Sequence, residues 1–232
     1  MKGRRGFTLI EVMVSVGIMG VIMVLIWSST SQSLKSKDRT EARDLLFHSG
    51  QVALRKIADD VAVTFLTSQA APATAAAAAQ AAAETDMKTF FIGEDRGEQD
   101  ALRFTSLAHM RLVKNSKESD QCRIAYEVVP DPEEPRAFNL VRHQQPWLTK
   151  TTEVEGRSFV VAEKILRFNV EYYDDRKGDW GKEWDTEKVD WKDRLPLAVR
   201  ITLVFADPDD ETREIPLSTA VIPALWKNPI NL

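Results

Sequence analysis

MKGRRGFTLIEVMVSVGIMGVIMVLIW, residues 1–27, decides how the rest of the chain is read. A short basic leader carrying Lys2, Arg4 and Arg5 ends at Gly6. From Phe7 to Trp27 run 21 residues with a single charge, Glu11. That is the length of apolar helix needed to cross about 30 Å of hydrocarbon. An acid near a bilayer centre costs on the order of 3 kcal/mol by insertion scales, so a helix that only anchored a domain would do better without it. Glu11 therefore asks for a cationic partner. The blander reading places it near the start of the helix at headgroup depth, where its cost is small.

The chain has 232 residues, enough for one globular domain once about the first 60 are set aside. Charged residues make up 28% and the net charge is only −4, which gives no electrostatic case for nucleic acid, whose binding needs a concentrated basic face. The basic leader precedes the apolar run, and Lys35, Lys37 and Arg39 come only further on. The positive-inside rule then keeps the N-terminus cytoplasmic and exports the rest. After the apolar run the chain reads Trp27-Ser28-Ser29-Thr30-Ser31, without a small-x-small cleavage site, so the helix is expected to stay in the mature protein.

Cys122 is the only cysteine, which rules out an intrachain disulfide and paired-cysteine zinc or redox motifs. It precedes the strand-like run Arg123 to Val129, where filling the core is the simpler role. His48, His109 and His143 stand apart from one another, and no HExxH, GxSxG or Walker sequence is present. Asp174, Asp175, Asp179, Asp185 and Asp190 do not follow the spacing of a calcium-binding EF-hand loop. The sequence offers no catalytic residues, no metal site and no cofactor, and the expectation is a protein that is not an enzyme.

Beyond Trp27 the chain turns polar without a helix breaker, and an apolar stripe runs through Leu46, Gly50, Ala53, Ile57, Val61 and Phe65 at spacings of three and four. Arg43, Arg55, Lys56, Asp59 and Asp60 fall mostly on the other side. One helix from about Phe7 to about Leu66, roughly 90 Å at 1.5 Å per residue, is predicted. The next stretch, SQAAPATAAAAAQAAAETD at residues 68–86, reads as a loop because alanine favours helix but no large apolar side chain is there to bury a face. From Lys88 the period becomes two. Strands are expected at Thr89 to Ile92, Ala101 to Leu107, Arg123 to Val129, Ala137 to Arg142, Ile165 to Tyr173, Ala198 to Phe205 and Arg213 to Thr219. The fold class is α+β: a long N-terminal helix, membrane-spanning in its first half, packed on antiparallel sheet. The expected division is 1–6 leader, 7–27 transmembrane and assembly helix, 28–67 its continuation, 68–87 alanine-rich loop and 88–232 β-rich domain.

The run Gly6-Phe7-Thr8-Leu9-Ile10-Glu11-Val12 resembles the type IV prepilin signature shared by type IV pilins and type II secretion pseudopilins. The resemblance implies cleavage between Gly6 and Phe7 by a prepilin peptidase, N-methylation of Phe7, and pairing of Glu11 with a neighbouring subunit's N-terminus during assembly. It also implies the type IV pilin-like fold. A second stretch, DDRKGDWGKEWDTEKVDWKDRLP between Tyr173 and Leu197, followed by Ala198-Val199-Arg200-Ile201-Thr202-Leu203, is similar to the J-type minor pseudopilin of type II secretion. The alanine tract is not part of that pattern. Glu11 argues against the K type, which typically lacks this glutamate.

A J-type subunit is expected in a Gram-negative inner membrane as a single-pass protein with a periplasmic C-terminal domain. From there it joins a periplasmic pseudopilus that supports protein export across the outer membrane. The partners implied are the I- and K-type minor pseudopilins, the major pseudopilin, the prepilin peptidase and the membrane, with no nucleic acid. A minor pilin priming type IV pili, or a filament-tip module that binds exported protein, would carry the same signature. Trp180, Trp184 and Trp191 are candidates for a protein interface, since tryptophan is enriched at hot spots; capping the sheet's own core would account for them equally well.

Overall fold

A computed structural model describes residues 8–68, 88–109, 119–227 and 230–231. Its first element, α1, is a helix over Leu9–Ala62. The chain divides into two compact units, one ending at Leu45 and the other running from Leu46 to Leu232. In the first unit the helix carries its apolar side chains into solvent: Leu9, Met19, Met23 and Trp27 are all more than two-thirds exposed. It is long and apolar enough to cross a membrane, and none of that stretch is buried.

The second unit is built on strands β1 (Thr67–Ser68), β2 (Phe91–Glu94), β3 (Ala101–Ser106), β4 (Cys122–Pro130), β5 (Phe138–Gln145) and β6 (Arg157–Asp174). They are followed by β7 (Asp179–Gly181), β8 (Trp184–Asp185), β9 (Ala198–Asp207), β10 (Asp210–Val221) and β11 (Ile230–Asn231). Nine strands form one sheet in the order β10-β9-β6-β5-β4-β3-β2-β8, with β7 added on β6, and every pairing within it is antiparallel. The short β1 and β11 pair in parallel. Strand β6 serves two neighbours in turn: its first half pairs with β5 and its second half, from Ile165, with β9. Register shifts on both sides of Ile165, and Lys164 at φ 54°, mark where the strand bends between them. Beyond the bend, the edge left by β5 receives β7 at Tyr172 to Asp174 and a bridge from Gln99 at Phe168, so the sheet curls back on itself.

Residues Leu46 to Ala62 of the helix lie against the apolar face of this sheet. Ala53, Ile57 and Val61 are completely buried, as is Phe65 just past the helix end, so the stripe read from spacing is the packed face. Gly50 permits the close approach: a Cβ there would lie 2.5 Å from Leu217 Cδ1, between β9 and β10. Gly93 does the same inside the sheet, where a Cβ would fall 1.8 Å from the hydroxyl of the buried Tyr172.

The helix stops at Ala62, short of the expected Leu66, because the sheet offers its last carbonyls better partners than another turn would. Ser106 Oγ donates to Asp60 O at 2.8 Å, Ala224 N to Ala62 O at 2.8 Å, and Leu107 N to Val63 O at 3.1 Å. Thr64 then leaves the helix to bridge Ser106, its hydroxyl donating to Thr105 O at 2.6 Å. The alanine-rich segment, expected as a loop, lies outside the described residues from position 69 to 87.

Candidate functional site

The helix begins with Thr8-Leu9-Ile10-Glu11, a Thr-x-x-Glu sequence of the kind that caps a helix start by reaching back to its own first N–H. The structure shows that contact: the backbone N–H of Thr8 donates to Glu11 Oε2 at 3.4 Å. Ser15 Oγ donates to Glu11 O at 2.8 Å. The Glu11 carboxylate thus sits in the first helical turn, where the peptide dipoles and the unpaired backbone N–H groups favour negative charge. The Thr-x-x-Glu spacing is the sequence signal for this capping role, distinct from the isolated charge that asks for a cationic partner. Gly6 and Phe7, the expected cleavage and methylation positions, lie outside the described residues.

In the second unit, the excursion from Tyr173 to Leu195 forms a hairpin whose arms are claimed by different strands: β7 pairs with β6, and β8 pairs with β2. The three tryptophans take distinct places in it. Trp184 is buried, belongs to the main core, and donates its indole N–H to Arg194 O at 2.9 Å. Trp191, on a short 3-10 turn over Val189–Trp191, is half-buried with its ring centroid 5.8 Å from that of Trp184. Trp180, on β7, lies edge-on to Tyr173 at 5.3 Å, with the Arg200 guanidinium 3.9 Å above its ring. Of the two readings left level by the sequence, burial places Trp184 in the core and leaves Trp180 and Trp191 partly open to solvent.

Arg194 ties the hairpin base, bonding Asp174 at 3.1 Å and Asp175 at 2.7 Å. Burial works against ionisation of Asp174, but the backbone N–H of Arg176 and the Arg194 guanidinium outweigh it and hold the carboxyl below its ordinary range. Asp174, Asp175, Asp179 and Asp185 are thereby engaged in turns and ion pairs. Among the described residues no cluster of three or more His, Cys, Asp or Glu is arranged to hold a metal.

One expectation is corrected. Asp60, expected with the other charges on the polar side of the helix, is buried to 1% exposure. Its carboxylate accepts from Tyr126 Oη at 2.6 Å, from Arg142 Nε at 2.5 Å and from Lys56 Nζ at 2.9 Å. Tyr126 on β4 and Arg142 on β5 are direct cross-strand neighbours, so the sheet presents a donor pair to which the helix brings the acid. Position 60 is three past Ile57 and seven past Ala53, which places it on the buried stripe; counting it as a charge conceals the spacing. Burial and the facing Asp60 carboxylate push the Tyr126 hydroxyl well above its usual pKa. The Arg142 guanidinium also lies 5.1 Å from the centroid of the Phe159 ring, where its remaining buried nitrogen has no acceptor among the described residues.

Cys122 is fully buried, donates to Ser106 O at 3.4 Å, and desolvation pushes its thiol up to about 11. A thiol held protonated is a packing group and not a nucleophile.

Known proteins can be set beside this architecture. No curated protein matches the sequence. Among solved structures, the chain is similar to one from the crystal structure of the GspK-GspI-GspJ complex of the enterotoxigenic Escherichia coli type 2 secretion system. The identity is 15%, with 76% of this chain and 97% of that chain covered at a TM-score of 0.46. It is also similar to the type IV-like pilin TTHA1219 from Thermus thermophilus, at 10% identity over 63% of this chain and 91% of that one, with a TM-score of 0.37. Residues 1–27 match the prokaryotic N-terminal methylation motif. Residues 28–215, which include the helix stripe, most of the sheet and the Trp hairpin, match the family of type II secretion system protein J. Covering well over half of the chain, that match means the chain belongs to the type II secretion system protein J family, the minor pseudopilins of that system.

Proposed function

We propose that this pseudopilin is cut between Gly6 and Phe7, methylated at Phe7, and drawn from the inner membrane into the pseudopilus tip by its apolar helix. The observation that supports this best is a helix from Leu9 to Trp27 whose apolar side chains all face outward, interrupted by one acid in its first turn. A surface of that kind is stable only in lipid or against other helices of the same character. Under this reading residues 1–6 are the leader, 7–27 the membrane and assembly helix, 28–67 its periplasmic continuation, 68–87 a connecting loop, and 88–232 the periplasmic domain. The partners are the I- and K-type minor pseudopilins and the major pseudopilin, with the prepilin peptidase acting once.

Glu11 has two roles in sequence. It caps its own helix in the precursor, and after cleavage it meets the α-amine of a neighbour's Phe7, a type of group that ordinarily titrates at about pH 8 and is cationic at neutral pH. Once both are desolvated, removing either leaves the other buried and unpaired. Trp180 and Trp191 are the hairpin residues offered to a neighbour.

Gly6→Ala is expected to abolish processing, leaving the full-length precursor in the inner membrane; a normal mature N-terminus in its mass spectrum would refute the prepilin reading. Glu11→Ala is expected to be processed and inserted yet to lose co-purification with I- and K-type subunits by about tenfold or more, the order of effect of an unpaired buried charge. Native recovery of both partners with Glu11→Ala would show the charge pair to be dispensable.

A further inference from the structure

We propose that the seam between β7 and β8 is a receiving site for the ammonium end of a lysine side chain presented by a protein partner, which displaces the chain's own Lys177 from the face of Trp191. The two strands are consecutive but do not pair with each other: β7 is held by β6 and β8 by β2. Between them is a cavity of about 210 Å³ open to solvent. Trp184 and Trp191 supply aromatic walls, and Asp174, Asp179 and Glu183 supply three carboxylates against one lining cation, Lys177. Aromatic faces beside carboxylates are the surroundings in which a desolvating ammonium group gains both ring-quadrupole and Coulomb attraction.

The rings already show a preference for cations. Lys177 Nζ lies 5.3 Å and Lys188 Nζ 6.0 Å from the Trp191 centroid, and the Arg194 guanidinium is 5.8 Å from that of Trp184. These three differ in how firmly they are held. Arg194 is fixed by Asp174 and Asp175, and Lys188 has Glu183 at 3.5 Å. Lys177 sits on the exposed turn between β6 and β7, beside Gly178 at φ 69°, and its ring contact is with Trp191. An exposed cation–π contact of this sort is weak, so Lys177 is the occupant that a better-presented lysine can replace. Of the lining carboxylates, Asp174 is committed to Arg194, while Asp179 accepts only from the adjacent backbone N–H of Trp180 among the described contacts. Asp179 is therefore the acid that meets an incoming ammonium group first, with Glu183, which Lys188 reaches at 3.5 Å, as the second carboxylate beside it.

This inference rests on the hairpin being a contact surface, and the two can fail separately. The probe is n-butylammonium, titrated into the full-length protein in detergent micelles while tryptophan emission is read, with Trp191→Phe as the reference for the responding ring. Saturable quenching in the millimolar range is expected, absent from Trp191→Phe. Lys177→Met, which removes the nearer cation from the Trp191 ring at an exposed turn, is expected to lower the half-saturating concentration about threefold or more, and Asp179→Asn with Glu183→Gln to raise it by a similar factor. No saturable response up to about 100 mM in either the native chain or Lys177→Met would overturn the site. So would an equal response to sodium butyrate, or an affinity unmoved by Lys177→Met. If partner recovery depends on Trp191 while butylammonium gives no response, the hairpin is an interface without a lysine site.

Discussion

Asp60→Ala is expected to lower the stability of the Leu46–Leu232 unit by about 3–5 kcal/mol, the range found when one member of a buried ion pair is deleted. The loss exceeds that of an ordinary helix-surface substitution because three donors converge on this carboxylate. Arg142, itself only 1% exposed at its side chain, would be left charged and desolvated with only uncharged partners, the Gln144 amide oxygen at 2.6 Å and the Phe159 ring. Tyr126, fully buried, would lose its hydrogen-bond acceptor. For a unit of this size each kcal/mol corresponds to about 2–4 °C in Tm, so the melting midpoint should fall by roughly 6–20 °C.

Two controls separate this from generic helix damage. Lys56 also bonds Asp60, but its side chain is 42% exposed, so Lys56→Ala should cost less than about 1 kcal/mol. Replacing the group together, with Asp60→Leu, Tyr126→Phe and Arg142→Met, should recover most of the loss, because a buried ion pair gains little over well-packed apolar side chains. Denaturant unfolding of the single and triple variants decides it: a loss below about 1 kcal/mol for Asp60→Ala, or a triple variant no better than the single, would mean that the helix is not pinned to the sheet by this pair.

Trp184→Ala is expected to cost a further class of interaction, about 3–5 kcal/mol for deleting a large buried aromatic. Trp184 stands opposite Gly93 in the β2–β8 pairing and fills core space next to Tyr172, whose hydroxyl abuts Gly93. Truncation removes the wall that holds β8 on β2 and leaves Arg194 O without its indole donor. Trp184→Phe keeps most of the apolar area and should lose only about 1 kcal/mol with that hydrogen bond. Trp180→Ala, at a half-buried position on β7 against Tyr173 and Arg200, should cost much less, on the order of 1 kcal/mol for a partly exposed cation–π and edge contact. Equal losses at positions 180 and 184 in urea unfolding would show that the hairpin does not divide into a core tryptophan and a surface one.

The strands in this chain are readable where one face is apolar and the other wet. The expected Ala101 to Leu107, Arg123 to Val129 and Ala198 to Phe205 correspond to β3 at Ala101–Ser106, β4 at Cys122–Pro130 and β9 at Ala198–Asp207. Strand β6 is legible only from Ile165, though it starts at Arg157, because residues 157–160 are exposed on both faces and show no alternation to read. Strands β7 and β8 are invisible for a related reason: at three and two residues they are shorter than any period, and they exist because β6 and β2 have edges to offer them. The buried acid at position 60 escapes a reading by spacing because a charged residue on an apolar stripe is a contradiction until its donors, 66 and 82 residues further along the chain, are in place.

Local chemistry is therefore what the sequence determined by itself. It includes an apolar run long enough for a membrane, an acid one turn into it, a stripe continuing the helix beyond it, and alternating strands that make the class α+β. These depend on residues within a few positions of one another, where spacing and side-chain type are sufficient. Only the tertiary structure decided which helical residues are sealed against the sheet, where α1 yields its carbonyls to Ser106, Leu107 and Ala224, and which tryptophan is core. Each of those outcomes is set by groups distant in sequence, and a buried carboxylate, a helix end or an indole is stable only once its partners from other strands have arrived.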